Sequence, residues 1–381
     1  MKRLVLIGAG HAHAQVLLDL ASTGNSGVDV VVVSPTPLAL YSGMVPGWLA
    51  GHYDWDQCCI DFAHLCRLAG AALKTDMATG IDPARSRVQL ASGELIGYDL
   101  LSLDIGSTAT PPAGDHVEVL PMRPLDQLNK RWSALRETVR SLPAEASYRV
   151  LMIGGGAAGT ESVLAAQRQL AQWAPLVRFE FALATEGNAL LPGLASGAGK
   201  RITTHLSERA IRCVYDFTAE RVEGDRVISR DGRTLATDAL LWAAGAKAHA
   251  WPAGSGLALD AAGFIQVDQT LRSVSHAHIF AAGDCASFAT PLAKAGVFAV
   301  RMGPVLAHNL RTALRGMALK AYIPQRRYLV LIGTGDENAV AAWGPLSWQG
   351  KWVWRWKQRI DKRFLEKYND QQLEVNRRPH A

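Results

Sequence analysis

Residues 148–159 read YRVLMIGGGAAG, an apolar run that ends in a glycine-rich turn. The run has the composition of a buried parallel strand, and a helical pattern follows over residues 161–173. In such a unit Gly154 permits the tight turn, Gly156 lets a pyrophosphate approach the backbone, and Gly159 lets the helix pack on the strand. The stretch therefore predicts a dinucleotide site at a helix N-terminus. An ordinary tight turn that binds no ligand is the alternative.

A less complete copy of the same unit begins the chain. A strand-like run at residues 3–7 leads into GAGHAH, which supplies Gly8 and Gly10 but has His13 where the third glycine is expected. The next β-branched run ends at Ser34, which offers a ribose one hydroxyl instead of a carboxylate. A supersecondary unit that occurs twice predicts an α/β protein with two Rossmann-like dinucleotide-binding domains.

The acidic residue expected after the complete unit is Glu186, near the end of the following strand. A carboxylate there accepts hydrogen bonds from both ribose hydroxyls of NAD and repels the 2′-phosphate of NADP. The sequence therefore favours NADH over NADPH.

Composition sets the class of protein. Of the 381 residues 49% are hydrophobic and 19% charged, which excludes a disordered or fibrous chain. Lys and Arg number 40 against 34 Asp and Glu, and their excess lies towards the C-terminus, which indicates a basic tail and not a nucleic-acid-binding protein. Five cysteines are too few for a secreted disulfide framework, and no apolar stretch reaches the roughly 18 to 20 residues that span a bilayer. We therefore expect a cytoplasmic protein, and the His11–His13 pair lacks the companions of a metal site.

Further glycines end apolar strands at the expected ligand-binding edge. The run HIFAAGD at residues 278–284 places Asp284 at the carboxyl end of a strand, where open α/β sheets bind ligands. Shorter apolar strands end at Gly106 and Gly245. Residues 294–297 then open a helix whose dipole stabilises negative charge near its start. The alternative is an Asp that caps an ordinary helix.

Together these motifs resemble the two-dinucleotide flavoproteins of the pyridine nucleotide-disulfide oxidoreductase superfamily. LIGAGHAH at 6–13, YSGMVPGWLAGHY at 41–53, DIGST at 104–108 and KAGVFAVRMGP at 294–304 are most similar to the flavoprotein module fused to selenide, water dikinase. The chain is also similar to type II NADH dehydrogenases and sulfide:quinone reductases. The resemblance covers nearly the whole chain.

The resemblance implies an FAD domain at 1–112 and 248–325, an NAD(P)H domain at 113–247 inserted into it, and a C-terminal segment at 326–381. The implied FAD site consists of Gly8, Gly10, His13, Ser34, Tyr41, Gly43, Pro46, Gly106, Gly283, Asp284, Lys294, Ala295, Gly296 and Val297. The implied nicotinamide cofactor site consists of Gly154, Gly156, Gly159, Glu186 and Gly245. Lys294 is the candidate catalytic residue, because its charge would tune the reduced flavin.

Cysteine positions exclude one branch of the superfamily. The dithiol reductases carry a Cys-x4-Cys pair in a region that corresponds to residues 41–53, which contain no cysteine. Cys58 and Cys59 are neighbours, a spacing that strains a disulfide. Cys285, directly after the Gly-Asp pair, is the one thiol placed for sulfur chemistry, and simple packing is its alternative role.

The C-terminal segment has the pattern of a membrane-surface helix. Five of the 11 tryptophans fall within residues 343–356, and an apolar stripe recurs every four residues at Trp352, Trp356, Ile360, Phe364 and Tyr368. Basic residues flank the stripe: Lys351, Arg355, Lys357, Arg359, Lys362 and Arg363. This profile predicts contact of residues 343–368 with an anionic membrane surface or a quinone. Core packing or a homodimer is the alternative, and stacking on nucleic acid is the least favoured.

We therefore expect hydride transfer from NADH or NADPH to FAD, followed by two-electron transfer to a quinone-like acceptor, in the cytoplasm or at the cytoplasmic face of the inner membrane. Two alternatives remain at this stage. One is a reductase or oxidase in selenium or sulfur metabolism, and the other is a non-catalytic dinucleotide-binding sensor.

Overall fold

The computed structural model describes residues 1–24, 27–112 and 117–370. The first part of the chain forms strands β1 (Lys2–Ile7), β2 (Val28–Ser34), β3 (Leu38–Leu40), β4 (Cys59–Asp61), β5 (Ala72–Thr75), β6 (Ala78–Asp82), β7 (Arg87–Leu90), β8 (Leu95–Gly97) and β9 (Leu100–Leu103). Its helices are α1 (His11–Thr23), α2 (Val45–Leu49) and α3 (Phe62–Ala69).

The middle part forms β10 (Glu118–Pro121), β11 (Ser147–Ile153), β12 (Arg178–Ala184), β13 (Arg212–Val214), β14 (Ala219–Glu223), β15 (Arg226–Ser229), β16 (Thr234–Ala236) and β17 (Ala239–Trp242), with helices α4 (Leu128–Arg140), α5 (Ala157–Trp173) and α6 (Ser196–Glu208). The last part forms β18 (Ile265–Gln266), β19 (Ile279–Ala281), β20 (Ala286–Ser287), β21 (Leu329–Gly333), β22 (Ala339–Trp343) and β23 (Leu346–Gly350), with helices α7 (Gly296–Leu314) and α8 (Lys351–Asn369). Short 3₁₀ helices lie at Ser42–Met44, Asp56–Cys58, Leu125–Gln127, Trp251–Gly254 and Gly283–Cys285.

A parallel five-stranded sheet in the order β19-β9-β1-β2-β5 forms the first unit. Alternate residues of β1 belong to different cores, because successive side chains of a strand point to opposite faces. Leu4 and Leu6 pack in the core that contains the residues of α1 and α7. Val5 and Ile7 pack in the core that contains those of the antiparallel β6-β7-β8 sheet. Both faces of the sheet are therefore covered, and β1 reads as a continuous apolar run.

The second unit repeats this arrangement. Its parallel sheet has the order β10-β17-β11-β12-β13, and the antiparallel β14-β15-β16 sheet contributes Val227 and Leu235 to the core beneath one of its faces. The duplication predicted from the glycine turns is confirmed. Strand β19 comes after the second unit in sequence but pairs with β9 of the first, with Ile279 opposite Leu101. The second unit is thus inserted into the first, as predicted.

The domain boundaries stay a prediction, and the one between residues 112 and 113 adjoins residues 113–116, which lie outside the described residues. The C-terminal segment forms an antiparallel β21-β22-β23 sheet followed by α8, the helix predicted from the apolar stripe. Helix α8 packs on β22 and β4 and so contacts the first unit. In the described part of the chain no helix is long and apolar enough to cross a membrane.

Gly159, the third glycine of the complete turn, leaves no room for a side chain, and this steric requirement can be tested. A Cβ on Gly159 would lie 1.9 Å from the Gly154 carbonyl oxygen, whereas a Cβ on Gly156 would meet nothing within 4 Å. We expect Gly159→Ala to lower the free energy of unfolding by about 1–3 kcal/mol, the usual cost of overpacking. Gly156→Ala is the matched control and should change it by less than about 0.5 kcal/mol. Equal urea midpoints for the two variants would contradict this packing argument.

Candidate active site

A cleft of about 1870 Å³ lies between the two units, lined by both glycine turns and by residues of α7 and α8. Small-molecule sites usually measure about 300–1,000 Å³, so this cleft has room for more than one ligand. It includes the carboxyl end of β1, which pairs with β2 on one side and with β9 on the other. Ligands of open α/β sheets bind at such a switch point.

The cleft brings together most of the residues predicted for the two cofactors. Its lining includes Gly8, Gly10, Ser34, Tyr41, Gly43, Pro46, Gly106, Asp284, Lys294, Ala295, Gly296, Val297, Gly156 and Gly245. Five predicted residues do not line it: His13, Gly283, Gly154, Gly159 and Glu186. Of these, Gly154 and Gly159 shape the second turn by close backbone contact, and Glu186 is exposed just beyond the end of β12.

The glycines of the first turn make room for a protein carboxyl group. A Cβ on Gly8 would lie 2.4 Å from the Asp104 carbonyl oxygen, and a Cβ on Gly10 would lie 2.2 Å from the Asp104 Cγ. Asp104 Oδ2 accepts hydrogen bonds from the backbone amides of Ala12 at 2.8 Å and His13 at 3.1 Å. Sequence reasoning quoted Asp104 only as part of DIGST and missed this contact. A carboxylate at the end of a buried strand, opposite a glycine turn, was the signal that could have found it.

His13 is placed away from the cleft, which corrects its prediction as a cofactor contact. Its imidazole is fully buried, and burial lowers the pKa to about 4, so the ring is neutral at pH 7. Nδ1 lies 2.7 Å from the Gly8 carbonyl oxygen and Nε2 lies 2.9 Å from Ser102 Oγ. Since a carbonyl only accepts, Nδ1 carries the proton and Nε2 accepts from the Ser102 hydroxyl. The His13 side chain therefore stabilises the first glycine turn by linking the Gly8 carbonyl to Ser102 of β9.

Ser34 lines the cleft, but its hydroxyl is already engaged. Its Oγ donates to the Thr36 carbonyl at 2.8 Å. A ribose hydroxyl at this position would therefore find Ser34 chiefly as a hydrogen-bond acceptor.

The carboxylate of Asp284 is held by a residue that sequence reasoning missed. Arg123 Nη1 donates to Asp284 Oδ2 at 2.6 Å, and the Ser107 hydroxyl donates to the same oxygen at 3.1 Å. Arg123 also donates to Ser107. Arg123 follows β10 of the second unit, so this ion pair joins the two units at the floor of the cleft. No local motif marks Arg123, because its partner is distant in sequence.

Lys294 lines the cleft, and its ammonium group contacts other residues of the protein. Nζ donates to the Ala286 carbonyl at 2.8 Å and lies 3.8 Å from the centre of the Phe264 ring. Burial lowers its pKa from the ordinary value. Helix α7 begins just after it, and its N-cap Ala295 has no side chain that caps the first turn. The positive end of the α7 dipole is thus open to the cleft. The role of Lys294 in tuning a flavin stays a prediction.

These features fit FAD and a nicotinamide cofactor: a glycine turn and a Gly-Asp strand end at one switch point, a second glycine turn lies across the cleft, and a free helix start lies between them. Residues 2–309 match the pyridine nucleotide-disulphide oxidoreductase family. The chain belongs to this family. It is therefore a flavin oxidoreductase that uses FAD and NAD(P)H, and the alternative of a non-catalytic sensor is not supported.

Individual relatives agree with the family. An NADH dehydrogenase-like protein of Mycobacterium tuberculosis is 27% identical over 75% of this chain and 73% of its own length. A type II NADH:quinone oxidoreductase of Haemophilus influenzae is 25% identical over 40% of this chain and 36% of its own. The crystal structure of sulfide:quinone oxidoreductase from Aquifex aeolicus shares the fold, with a TM-score of 0.79, 18% identity, and coverage of 97% of this chain and 92% of that chain. The resemblance to the module fused to selenide, water dikinase stays a prediction.

The cysteines of this flavoprotein are free and poorly reactive. None of the five forms a disulfide. Cys285 is buried outside the cleft lining, and burial raises its pKa to about 12, so the thiol stays protonated at neutral pH. Among the described residues no group of three or more His, Cys, Asp or Glu side chains is arranged to hold a metal ion.

A buried charged cluster lies where α8 meets the cleft. Lys357 Nζ lies 3.0 Å from Asp361 Oδ2 and donates to the Gly43 carbonyl at 2.6 Å. Lys357 is buried, which corrects its prediction as a basic residue of the exposed face. Although burial lowers the pKa of Lys357, the nearby carboxylates of Asp361 and Glu161 raise it more, so the ammonium stays charged.

Glu161, the second carboxylate of this cluster, was missed as a site residue. It lies in the first turns of α5, just after the second glycine turn, and Oε1 accepts from the Gly333 amide at 2.6 Å. Burial raises its pKa to about 7, while the Lys357 charge acts in the opposite direction. A carboxyl group whose pKa is raised towards neutrality is suited to exchange protons.

The apolar stripe of α8 divides into a buried and an exposed part. Phe364 stacks on Tyr41 with 4.3 Å between ring centres, and Tyr368 is buried beneath it. Trp352, Trp356 and Ile360 are 55%, 36% and 38% exposed. Ile360 and Phe364 line the cleft, so the stripe forms a continuous apolar surface from the outside of the molecule to Tyr41.

The bracing role of His13 predicts a stability effect. We expect His13→Ala to lower the free energy of unfolding by about 2–4 kcal/mol, because it opens a cavity and leaves the Ser102 hydroxyl and the Gly8 carbonyl without their partner. Urea unfolding followed by tryptophan fluorescence measures this. A loss below about 1 kcal/mol would show that the imidazole is not a structural support.

Proposed function

We propose that this flavoprotein passes two electrons from NADH through FAD to a quinone-like acceptor that enters the cleft along α8. The observation that carries the proposal is the apolar surface from Trp352 to Phe364, which ends beside the buried Lys357, Asp361 and Glu161 cluster. A quinone matches a surface that is apolar along its length and charged at its end. It has an apolar tail and a polar head, whose two carbonyl groups become hydroxyls on reduction. The names of the Haemophilus influenzae and Aquifex aeolicus relatives support such an acceptor.

The chemistry of the acceptor explains the charged cluster. The turn at Gly8 and Gly10 and the start of α7 would hold FAD, which would supply the chemistry that accepts a hydride from NADH and passes on its two electrons. Reduction of a quinone to a quinol takes up two electrons and two protons. The hydride of NADH carries both electrons and one of the protons, so one further proton must reach the acceptor in the cleft. Glu161 supplies a proton from its acid form, and the Lys357 ammonium stabilises the carboxylate left behind. Water restores the proton to Glu161.

The choice of NADH rests on Glu186 in this proposal. The side chain is exposed just beyond β12, beside the second glycine turn, and a carboxylate there would accept the ribose hydroxyls of NADH.

The exposed part of α8 would hold the protein at a membrane surface that contains the acceptor. Trp352 and Trp356 stack at 6.3 Å between ring centres, and Lys351, Arg355, Arg359, Lys362 and Arg363 are exposed around them. Aromatic rings with flanking cations match a surface of anionic lipid. This proposal places the protein at the cytoplasmic face of the membrane.

A role in sulfur or selenium metabolism is the weaker candidate. Sulfide oxidation beside a flavin needs a thiol that can trap sulfur, and the thiol of Cys285 is buried outside the cleft lining.

Removal of the proton donor should slow one half of the reaction. We expect Glu161→Gln to lower kcat with a quinone by about 100-fold or more, the usual contribution of a general acid. Reduction of FAD by NADH, followed in a stopped flow at the flavin absorbance, should stay within about twofold of wild type because that half-reaction needs no side-chain proton.

The pH dependence provides the second readout. In the wild type the turnover with quinone should fall as pH rises through about 7, because Glu161 loses its proton there. Glu161→Gln should lack this fall. A variant with wild-type turnover and an unchanged pH profile would exclude Glu161 as the donor.

The membrane surface can be tested with the exposed tryptophans. We expect the double change Trp352→Ser and Trp356→Ser to reduce flotation with anionic phosphatidylglycerol vesicles at least tenfold and to raise KM for a long-tailed quinone. Activity with ferricyanide, a soluble acceptor, should be unchanged. Leu176→Ser, which alters an exposed apolar residue elsewhere, is the control.

Size-exclusion chromatography distinguishes a membrane-binding surface from the remaining alternative, a dimer interface. If the double variant floats like wild type but changes from dimer to monomer, the exposed stripe is a dimer interface and the membrane proposal is wrong.

A further inference from the structure

Asp104 occupies the N-terminus of α1 with a negative group of the protein itself. Its Oδ2 accepts from the amides of Ala12 and His13 in the first turn of the helix, at 2.8 and 3.1 Å. The same helix start is where a Rossmann unit binds a pyrophosphate. Asp104 also lines the cleft although its side chain is almost fully buried. A pyrophosphate in this crevice would therefore lie near a buried carboxyl group.

The hydrogen bonds from the His13 and Ala12 amides favour a negative charge on Asp104 and lower its pKa, but burial raises the pKa more, and none of the described groups that act on this pKa is a cation. The neighbouring His11 and His13 side chains of α1 are buried, which lowers the pKa of each to about 4, so both rings are neutral above pH 5. Asp284 lies on the adjoining 3₁₀ helix and adds negative charge, while Arg123 is committed to Asp284. The Cys285 thiol, with its pKa raised to about 12 by burial, stays neutral. Gly283 contributes only close backbone contact, since its Cβ would lie 2.6 Å from Asp104 Oδ1.

Two anionic groups at one helix start repel each other strongly when one of them is almost fully buried, as Asp104 is. We propose that Asp104 is protonated when FAD is bound, so that FAD binding takes up one proton from water at this carboxyl group. The protonated group still accepts from the amides of Ala12 and His13 through its carbonyl oxygen, and it gains one O–H donor. The inference concerns FAD binding alone and does not depend on the identity of the electron acceptor.

The sign of the pH dependence follows from linkage. Burial raises the pKa of Asp104 to about 7 without the cofactor, and the charge of the pyrophosphate raises it further in the complex. Below pH 7 the proton is already present and FAD binds without uptake. Above pH 7 each FAD that binds takes up one proton. The proton concentration falls as pH rises, so the affinity for FAD falls with it.

The experiment measures release of FAD from the full-length holoprotein. Dilution series at pH 6 to 9 and constant ionic strength, followed by FAD fluorescence, give the dissociation constant. For the wild type we expect it to rise up to about tenfold per pH unit above pH 7. Asp104→Asn keeps an oxygen that accepts from the amides but carries no charge. It should show a flat profile and bind FAD more tightly than wild type at pH 9.

Glu161→Gln is the matched control, because Glu161 also lines the cleft with its pKa raised to about 7 but has Lys357 as its neighbour and makes no contact with α1 that the structure shows. This variant should keep the wild-type slope of the FAD dissociation constant. If Glu161→Gln loses the slope, or Asp104→Asn keeps it, the proton is not on Asp104 and the proposal is overturned.

Infrared spectroscopy tests the proton directly and does not require Asp104→Asn to fold. At pH 8 the Glu161→Gln holoprotein should show the carbonyl band of a protonated carboxyl group, shifted in D2O and weakened as FAD is released. Absence of that band from the holoprotein at pH 8, or a dissociation constant that is independent of pH in the wild type, would overturn the proposal.

Discussion

The close contact between the first glycine turn and Asp104 at the end of β9 is the constraint on which the cleft depends. Side chains on Gly8 or Gly10 would collide with Asp104, so the turn can approach β9 only because these positions have none. That approach fixes the start of α1, and α1 packs along α7, whose own N-terminus opens on the cleft. His13 supports the turn from the opposite side. This one close approach thus positions the two helix dipoles of the first unit, those of α1 and α7, that face the ligand site.

The architecture could be predicted from sequence because its signals are local. A buried parallel strand followed by a glycine turn and a helix is encoded within about 25 residues, as in a βαβ unit, and the chain contains it twice. The insertion of the second unit was implied by the resemblance to the family, and in the structure the strand that precedes Gly283 returns to pair with β9. The match of residues 2–309 to the family agrees with both inferences.

The contacts that decide the chemistry could not be predicted in the same way, because they join distant segments. Arg123 meets Asp284 across the two units, and Lys357 meets the Gly43 carbonyl from the far end of the chain. Periodicity placed Lys357 among the exposed basic residues, since a four-residue repeat reports a helix face but not what covers it. Lys357 is buried beside Asp361 and against the Gly43 carbonyl, while Arg355 and Arg359 remain exposed.

Two buried carboxyl groups that line the cleft, Asp104 and Glu161, show how the surroundings give one chemical group two roles. Burial raises the pKa of Asp104 and of Glu161 to about 7. Beyond burial, Asp104 has the like charge of Asp284, whereas Glu161 has the opposite charge of Lys357. An anionic cofactor beside Asp104 drives it towards the acid form, while the Lys357 ammonium keeps the carboxylate of Glu161 accessible. The first group is suited to hold a proton and the second to exchange one, so the charge partner, more than the depth of burial, separates their functions.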